Sequence, residues 1–158
     1  MSLTIRRCDD KDTIRRLLQQ SRWGENLLMG GRIYTVADFS AYVAEDAAGT
    51  IVAFCTFAQR GTTAFMLSLD NPGGPKGTGK LLLEHLIAES RKAGARTLRA
   101  LTTNDNLPAL GYYQKNGFRI VAFFPGAIDI YRIVAPTLPE IGFDGIPIHD
   151  SIELEMDI

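Results

Sequence analysis

The chain has 158 residues, of which 46% are hydrophobic and 22% charged, and its formal net charge is −1. That length suits one ordinary domain with a real hydrophobic core, and the near-neutral charge argues against a nucleic-acid surface, which needs a basic excess or stripe. Two cysteines, Cys8 and Cys55, are too few for a disulfide framework, and two distant histidines, His85 and His149, lack a second ligand at metal spacing, so no metal is expected.

The opening MSLTIRRCDDKD turns charged within a few residues, which suits neither a signal peptide nor a membrane span. The apolar run IVAFF meets Pro125-Gly126 far short of the ~20 residues a span needs, and the expected setting is the cytoplasm. Leu3 to Arg6 alternates as a half-buried strand does. Asp10 or Asp12 then caps a helix through IRRLLQQ, with Ile14, Leu17 and Leu18 on one face. Gly24, Gly30 and Gly31 break up residues 22–40, where GRIYTV reads as a short strand.

From Ser40, the stretch AYVAEDAAGTIVAFCTFAQRGTTAFMLSLD reads as three strands linked by tight turns near Gly49 and Gly61. Ile51, Ala53, Cys55 and Phe57 are expected on one face of the middle strand. Lys80 to Lys92 is helical, with Leu82, Leu83, Leu86 and Ile87 at helical spacing, and TLRALTT is a strand. A short helix spans Asn106 to Asn116, FRIVAFF is the next strand, and a proline- and glycine-marked irregular excursion follows. The chain closes on an alternating strand around Ile152, Leu154 and Met156. The element order predicts one α/β domain, a mixed sheet with helices on both faces.

The stretch GGPKGTGKLLLEHL, at 73–86, puts a glycine-rich loop directly before a helix, an arrangement that attracts anionic oxygens. A nucleotide P-loop, a dinucleotide fold and a coenzyme A pyrophosphate site all use this physics. The P-loop needs a hydroxyl after its lysine for magnesium, and Leu81 stands there; the dinucleotide pattern needs glycine at position 82, which is Leu82. The coenzyme A reading gains from a second motif, NLPALGYYQKNGF at 106–118, which sets Asn106, Ala109, Leu110 and Tyr113 on or near one helical face.

Together, the K-G-x-G loop opening a helix and N-x-x-A-L-x-x-Y-x-K-x-G-F resemble the GNAT superfamily of acyl-CoA-dependent N-acyltransferases. The likeness in element order runs from Leu3 to Ile158. It implies a single N-acetyltransferase domain over 1–158 with a mainly antiparallel central sheet, and acetyl-CoA as co-substrate without a metal. Lys76, Gly77, Thr78, Gly79 and Lys80 match the family's pyrophosphate loop. Leu69 matches the position whose backbone holds the acyl carbonyl and the pantetheine arm, Asn106 the coenzyme-orienting asparagine, and Tyr113 the general acid toward the thiolate. The family commonly has Arg or Gln where this chain has Gly74, and Pro75 removes a further loop donor.

The resemblance implies direct attack of an amine, from a small molecule or a peptide, on the thioester. An aliphatic amine of pKa ~10.4 arrives protonated and needs a base. Asp70 is the first candidate, with Glu45 and Asp105 behind it. Trp23, Tyr34, Phe39 and Tyr42 serve equally as walls of the acceptor site or as core, and segments 22–40 and 125–149 are expected to recognise the acceptor. The rival reading is a non-catalytic acyl-CoA-binding module of the same fold. A homodimer joined through the C-terminal strand is compatible with the pattern.

Overall fold

The computed structural model describes residues 2–158. Strand β1 (Thr4–Cys8) leads into helix α1 (Lys11–Gln19), whose first turn is capped by the Asp10 carboxylate accepting from the Thr13 amide. A two-stranded hairpin follows, β2 (Leu27–Met29) and β3 (Arg32–Tyr34), in the region where the glycines obscured any longer pattern. Strands β4 (Ser40–Glu45), β5 (Ile51–Arg60) and β6 (Thr63–Asp70) form the expected antiparallel meander. The second half is α2 (Thr78–Lys92), β7 (Thr97–Thr103), α3 (Leu107–Lys115), β8 (Arg119–Phe124), a short α4 (Ala127–Tyr131) and β9 (Ser151–Asp157). The excursion before β9 is thus more ordered than expected: α4 and a 3-10 turn at Phe143–Gly145 are too short to leave a periodic signal.

Seven strands make one mixed sheet in the order β1-β4-β5-β6-β7-β9-β8, antiparallel at every pair except β6 with β7. The crossover through α2 is what makes that pair parallel. On one face, Leu82, Leu83 and Leu86 of α2 pack with Tyr113 of α3 over Ala53, Cys55, Met66, Leu98 and Leu154. On the other face, Ile14 and Leu18 of α1 join Leu27, Met29 and Tyr34 of the hairpin over Val43, Phe54 and Leu67.

Two local departures from simple alternation have clear causes. The register jumps from Ala44↔Ala53 to Glu45↔Ile51, which leaves Val52 as an extra residue. That bulge turns Ile51 toward the α1 face, against the expected grouping with Ala53, Cys55 and Phe57. In β9 the polar residues Ser151 and Glu153 are buried, and Glu153 reaches the β2–β3 hairpin, where the Gly30 amide donates to its Oε1. Strand β9 also has a neighbour on each side, so it offers no free edge for the strand-to-strand dimer with which the sequence pattern is compatible. The sheet's edges are β1 and β8, and β8 exposes Ile120, Val121, Phe123 and Phe124.

One feature positions the site. Parallel pairing of β6 and β7 runs only from Thr63↔Thr97 to Met66↔Ala100. Beyond it, Leu67–Asp70 and Leu101–Thr103 remain strands without bonding each other. Leu86 fastens α2 to the sheet beside this opening and is fully buried. Leu86→Ala is expected to cost about 2–5 kcal/mol in urea-unfolding midpoints with an unchanged m-value.

Candidate active site

The glycine loop links the end of β6 to α2. Gly77 caps the helix with a φ of 96°. The loop is braced from within: the Thr78 hydroxyl donates to the Pro75 carbonyl at 2.7 Å and the Thr78 amide to the same oxygen at 3.1 Å. The Asn71 side chain accepts from the Gly74 amide at 2.8 Å and donates to Pro75 O. A Cβ on Gly74 would lie 2.5 Å from Asn71 Oδ1 and 2.9 Å from Thr78 Oγ1, so a side chain there would push aside the two groups that brace the loop. By contrast, nothing lies within 4 Å of a Cβ built on Gly77 or Gly79, and that side of the helix start is open. The first-turn amides of α2 lack helical acceptors by geometry, and Lys76 and Lys80 are exposed beside them. The donor set suits an anion.

At the end of β6, consecutive residues face opposite sides of the sheet. Leu69 packs against the α2–α3 core, which contains Tyr113. Asp70 instead lines a cavity of about 230 Å³ on the α1 side, walled by Leu17, Gln20, Ser21, Phe54, Asn71 and Pro72. Asp70 Oδ2 and Thr102 Oγ1, one on each parted strand end, are buried without hydrogen-bond partners, as is the Tyr112 hydroxyl on α3. Burial pushes the Asp70 carboxyl up to about 6. The Tyr113 hydroxyl is also raised, first by burial and then by the charges of Asp70, Tyr112 and Cys55. It therefore stays protonated, and Asp70 stays largely ionised at neutral pH.

A third group lies at the end of β7. Asp105, fully buried at the β7–α3 junction, is opposed by burial, but bonds from the Thr103 hydroxyl, the Phe143 amide and Arg22 outweigh that and hold its carboxyl below the usual range. Next to it, Asn106 caps α3 by accepting from the Ala109 amide at 3.2 Å.

A family model described as "Acetyltransferase (GNAT) domain" matches residues 37–120. The chain is 30% identical over 131 residues to the uncharacterized protein YdhI of Bacillus subtilis, covering 82% of each. In structure it resembles an IAA acetyltransferase from Bacillus cereus at a TM-score of 0.77 with 24% identity, covering 99% of this chain and 100% of that one. It also resembles a Bacillus subtilis acetyltransferase in complex with CoA at a TM-score of 0.67 with 25% identity, covering 77% and 78%. The chain belongs to the GNAT acetyltransferase family. It is an acyltransferase, and its mixed, mostly antiparallel sheet is that of its GNAT neighbours.

Within this GNAT fold, the residues singled out from sequence fall into separate groups. Lys76, Gly77, Gly79 and Lys80 converge at the open start of α2, whereas the Thr78 side chain is buried and spent on bracing the loop. Leu69, Asp70 and Tyr113 gather at the parted strands, two on one face and Asp70 on the other. Glu45 is held by Arg6 at 2.6 Å on the outer strand pair, and Asp105 is fully engaged, so neither is free to act as a base. Tyr34 and Phe39 are core, and Tyr42 stacks on Phe57 at 4.7 Å with His85 against its face. Cys55 is buried, and burial lifts its thiol to about 12. Sequence reasoning missed Gln20, Ser21 and Phe54, because only the docking of α1 on the sheet brings them to one cavity. Among the described residues, no cluster of His, Cys, Asp or Glu suits a metal ion, and no helix is long and apolar enough to cross a membrane.

A raised carboxyl has a definite linkage sign. Asp70 binds its proton more tightly folded than unfolded, so its contribution to stability is full below pH ~3.9 and is lost as pH rises through about 6. Asp70→Asn is expected to raise the melting temperature at pH 7.5 by up to the equivalent of about 3 kcal/mol, and to bring no gain at pH 4. Melting curves at the two pH values measure the difference.

Proposed function

We propose that this acyltransferase moves an acetyl group from acetyl-CoA to a primary amine of a small molecule or peptide by direct attack, with Asp70 as base and Tyr113 as general acid. One observation carries the reading: a carboxylate with a buried, unpartnered oxygen lines a cavity at the end of β6, and a protonated tyrosine coupled to its charge lies across the sheet. The start of α2, with Lys76 and Lys80, supports coenzyme binding, since its amides and charges face open space suited to a pyrophosphate.

The thioester supplies the acyl group. In the cavity, Asp70 takes a proton from the arriving ammonium, and the freed nitrogen forms its bond to the carbonyl carbon. Backbone amides on the unpaired edge of β6 near Leu69 stabilise the oxyanion as it develops. As the C–S bond breaks, the Tyr113 hydroxyl gives its proton to the sulfur. The second proton, left on the acylated nitrogen, restores the tyrosinate directly or through water, and Asp70 releases the first to solvent. The two groups help each other in sequence. The Asp70 charge raises Tyr113, so protonation of Asp70 by the amine makes Tyr113 a stronger acid at the moment the thiolate leaves. Cys55 takes no part, because direct transfer needs no acyl-enzyme.

The test is release of free thiol from acetyl-CoA over a panel of small amines, amino acids and peptides; a panel with no turnover overturns the reading. With an active amine in hand, Tyr113→Phe is expected to lower kcat by about 10²-fold or more with little change in KM for acetyl-CoA. Unchanged turnover where chemistry limits the rate removes Tyr113 from the mechanism. Asp70 predicts a separate signature: kcat/KM for the amine falls as pH drops below about 6, and Asp70→Asn removes that limb along with most of the activity.

A further inference from the structure

The cavity beside Asp70 owes one wall to Gln20 and Ser21, just past the end of α1; their amides bond back into that helix, to Leu17 O and Leu18 O. The next residue reaches beyond it. Arg22 Nη2 reaches Asp105 at 3.1 Å, and Asp105 also accepts from the Thr103 hydroxyl and from the Phe143 amide at 3.1 Å. The Arg22 guanidinium lies 5.5 Å from the Trp23 ring centroid and 5.2 Å from that of Phe143, so it is held on its faces as well as at its end. The Trp23 amide donates back to Ser21 Oγ at 3.2 Å. Gly142 completes the fit: a Cβ there would sit 1.8 Å from Asp105 Oδ2, so the 142–145 turn closes on the carboxylate only as glycine. One carboxylate therefore gathers the α1–β2 segment, the turn before β9 and the start of α3.

We propose that Arg22 and Asp105 are positioning residues for the acceptor, a latch that holds the Gln20–Ser21 wall at its working distance from Asp70 without touching the amine or the coenzyme. This rests on the amine-transfer reading, and it divides the labour of the site. Coenzyme contacts lie on the α2–α3 face and the loop, whereas the latch lies on the α1 face. Loosening it from the Arg22 side is expected to disturb acceptor recognition and leave coenzyme binding in place.

The chain's sole tryptophan is Trp23, stacked beside Arg22 and 6.2 Å from the Tyr131 ring, so its fluorescence reports the latch directly. The experiment compares wild type with Arg22→Gln and Arg22→Lys, and with Asp105→Asn as a second way of opening the pair. For Arg22→Gln the expected result is an acceptor KM raised about tenfold, with kcat at saturating amine within about threefold. The thermal shift produced by acetyl-CoA is unchanged, and Trp23 emission moves to the red. Arg22→Lys, which keeps the charge but loses the fork and much of the stacking, recovers part of the KM. An unchanged acceptor KM, or loss of the acetyl-CoA shift along with it, overturns the latch. If wild type acetylates no amine, the proposed activity falls by that result alone. The latch is then judged by Trp23, and emission unchanged in both Arg22→Gln and Asp105→Asn overturns it.

Discussion

The parallel bonding between β6 and β7 stops at Met66 opposite Ala100, and from there the two strand ends run on with their facing edges unsatisfied. Backbone groups in a sheet interior are costly to leave unbonded, so the opening persists only because the surroundings hold it. On the far side, β6 is kept in register with β5 by the buried Thr56–Ser68 hydroxyl pair at 2.7 Å, next to the bulge that lets Leu67 slip past. Above, α2 is clamped by Leu82, Leu83 and Leu86. The loop, the cavity and both candidate proton-transfer groups are arranged around this one gap.

Two aspartates near this gap show how environment divides roles among identical side chains. Asp70 is buried beside its cavity with an oxygen left over, and desolvation lifts it to about 6. Asp105 is buried more completely, yet three donors, from Thr103, Phe143 and Arg22, reach it and its carboxyl is held low. The first retains a free lone pair and a proton affinity near neutrality, the marks of a group able to exchange protons. The second has nothing left to exchange and serves as an anchor.

Most of the fold was legible because its signals are local. Turn glycines at 49 and 61, the leucine spacing of α2 and the N-x-x-A-L-x-x-Y helix each specify their element within a few residues. The glycine loop and the tyrosine helix were legible as motifs for the same reason. What escaped depends on contacts distant in sequence. The bond to Glu153 needs the β2–β3 hairpin, the face taken by Ile51 needs the bulge at Val52, and the roles of Arg22 and Asp105 need partners about eighty residues apart along the chain. Gly74 looked like a missing side chain in sequence. In the folded loop a side chain there would displace the Asn71 and Thr78 groups that brace the backbone.

That braced loop has a thermodynamic consequence. The proline at 75 fixes its own φ, and Asn71 and Thr78 fasten the backbone on either side of it. The conformational entropy of the loop is therefore given up once, during folding, and is not charged again when an anion docks at the start of α2. A loop with a long cation at position 74 would gain a charge but would have to order that side chain at each encounter. This chain trades the extra charge for rigidity, and the loop's shape is in place before any anion arrives.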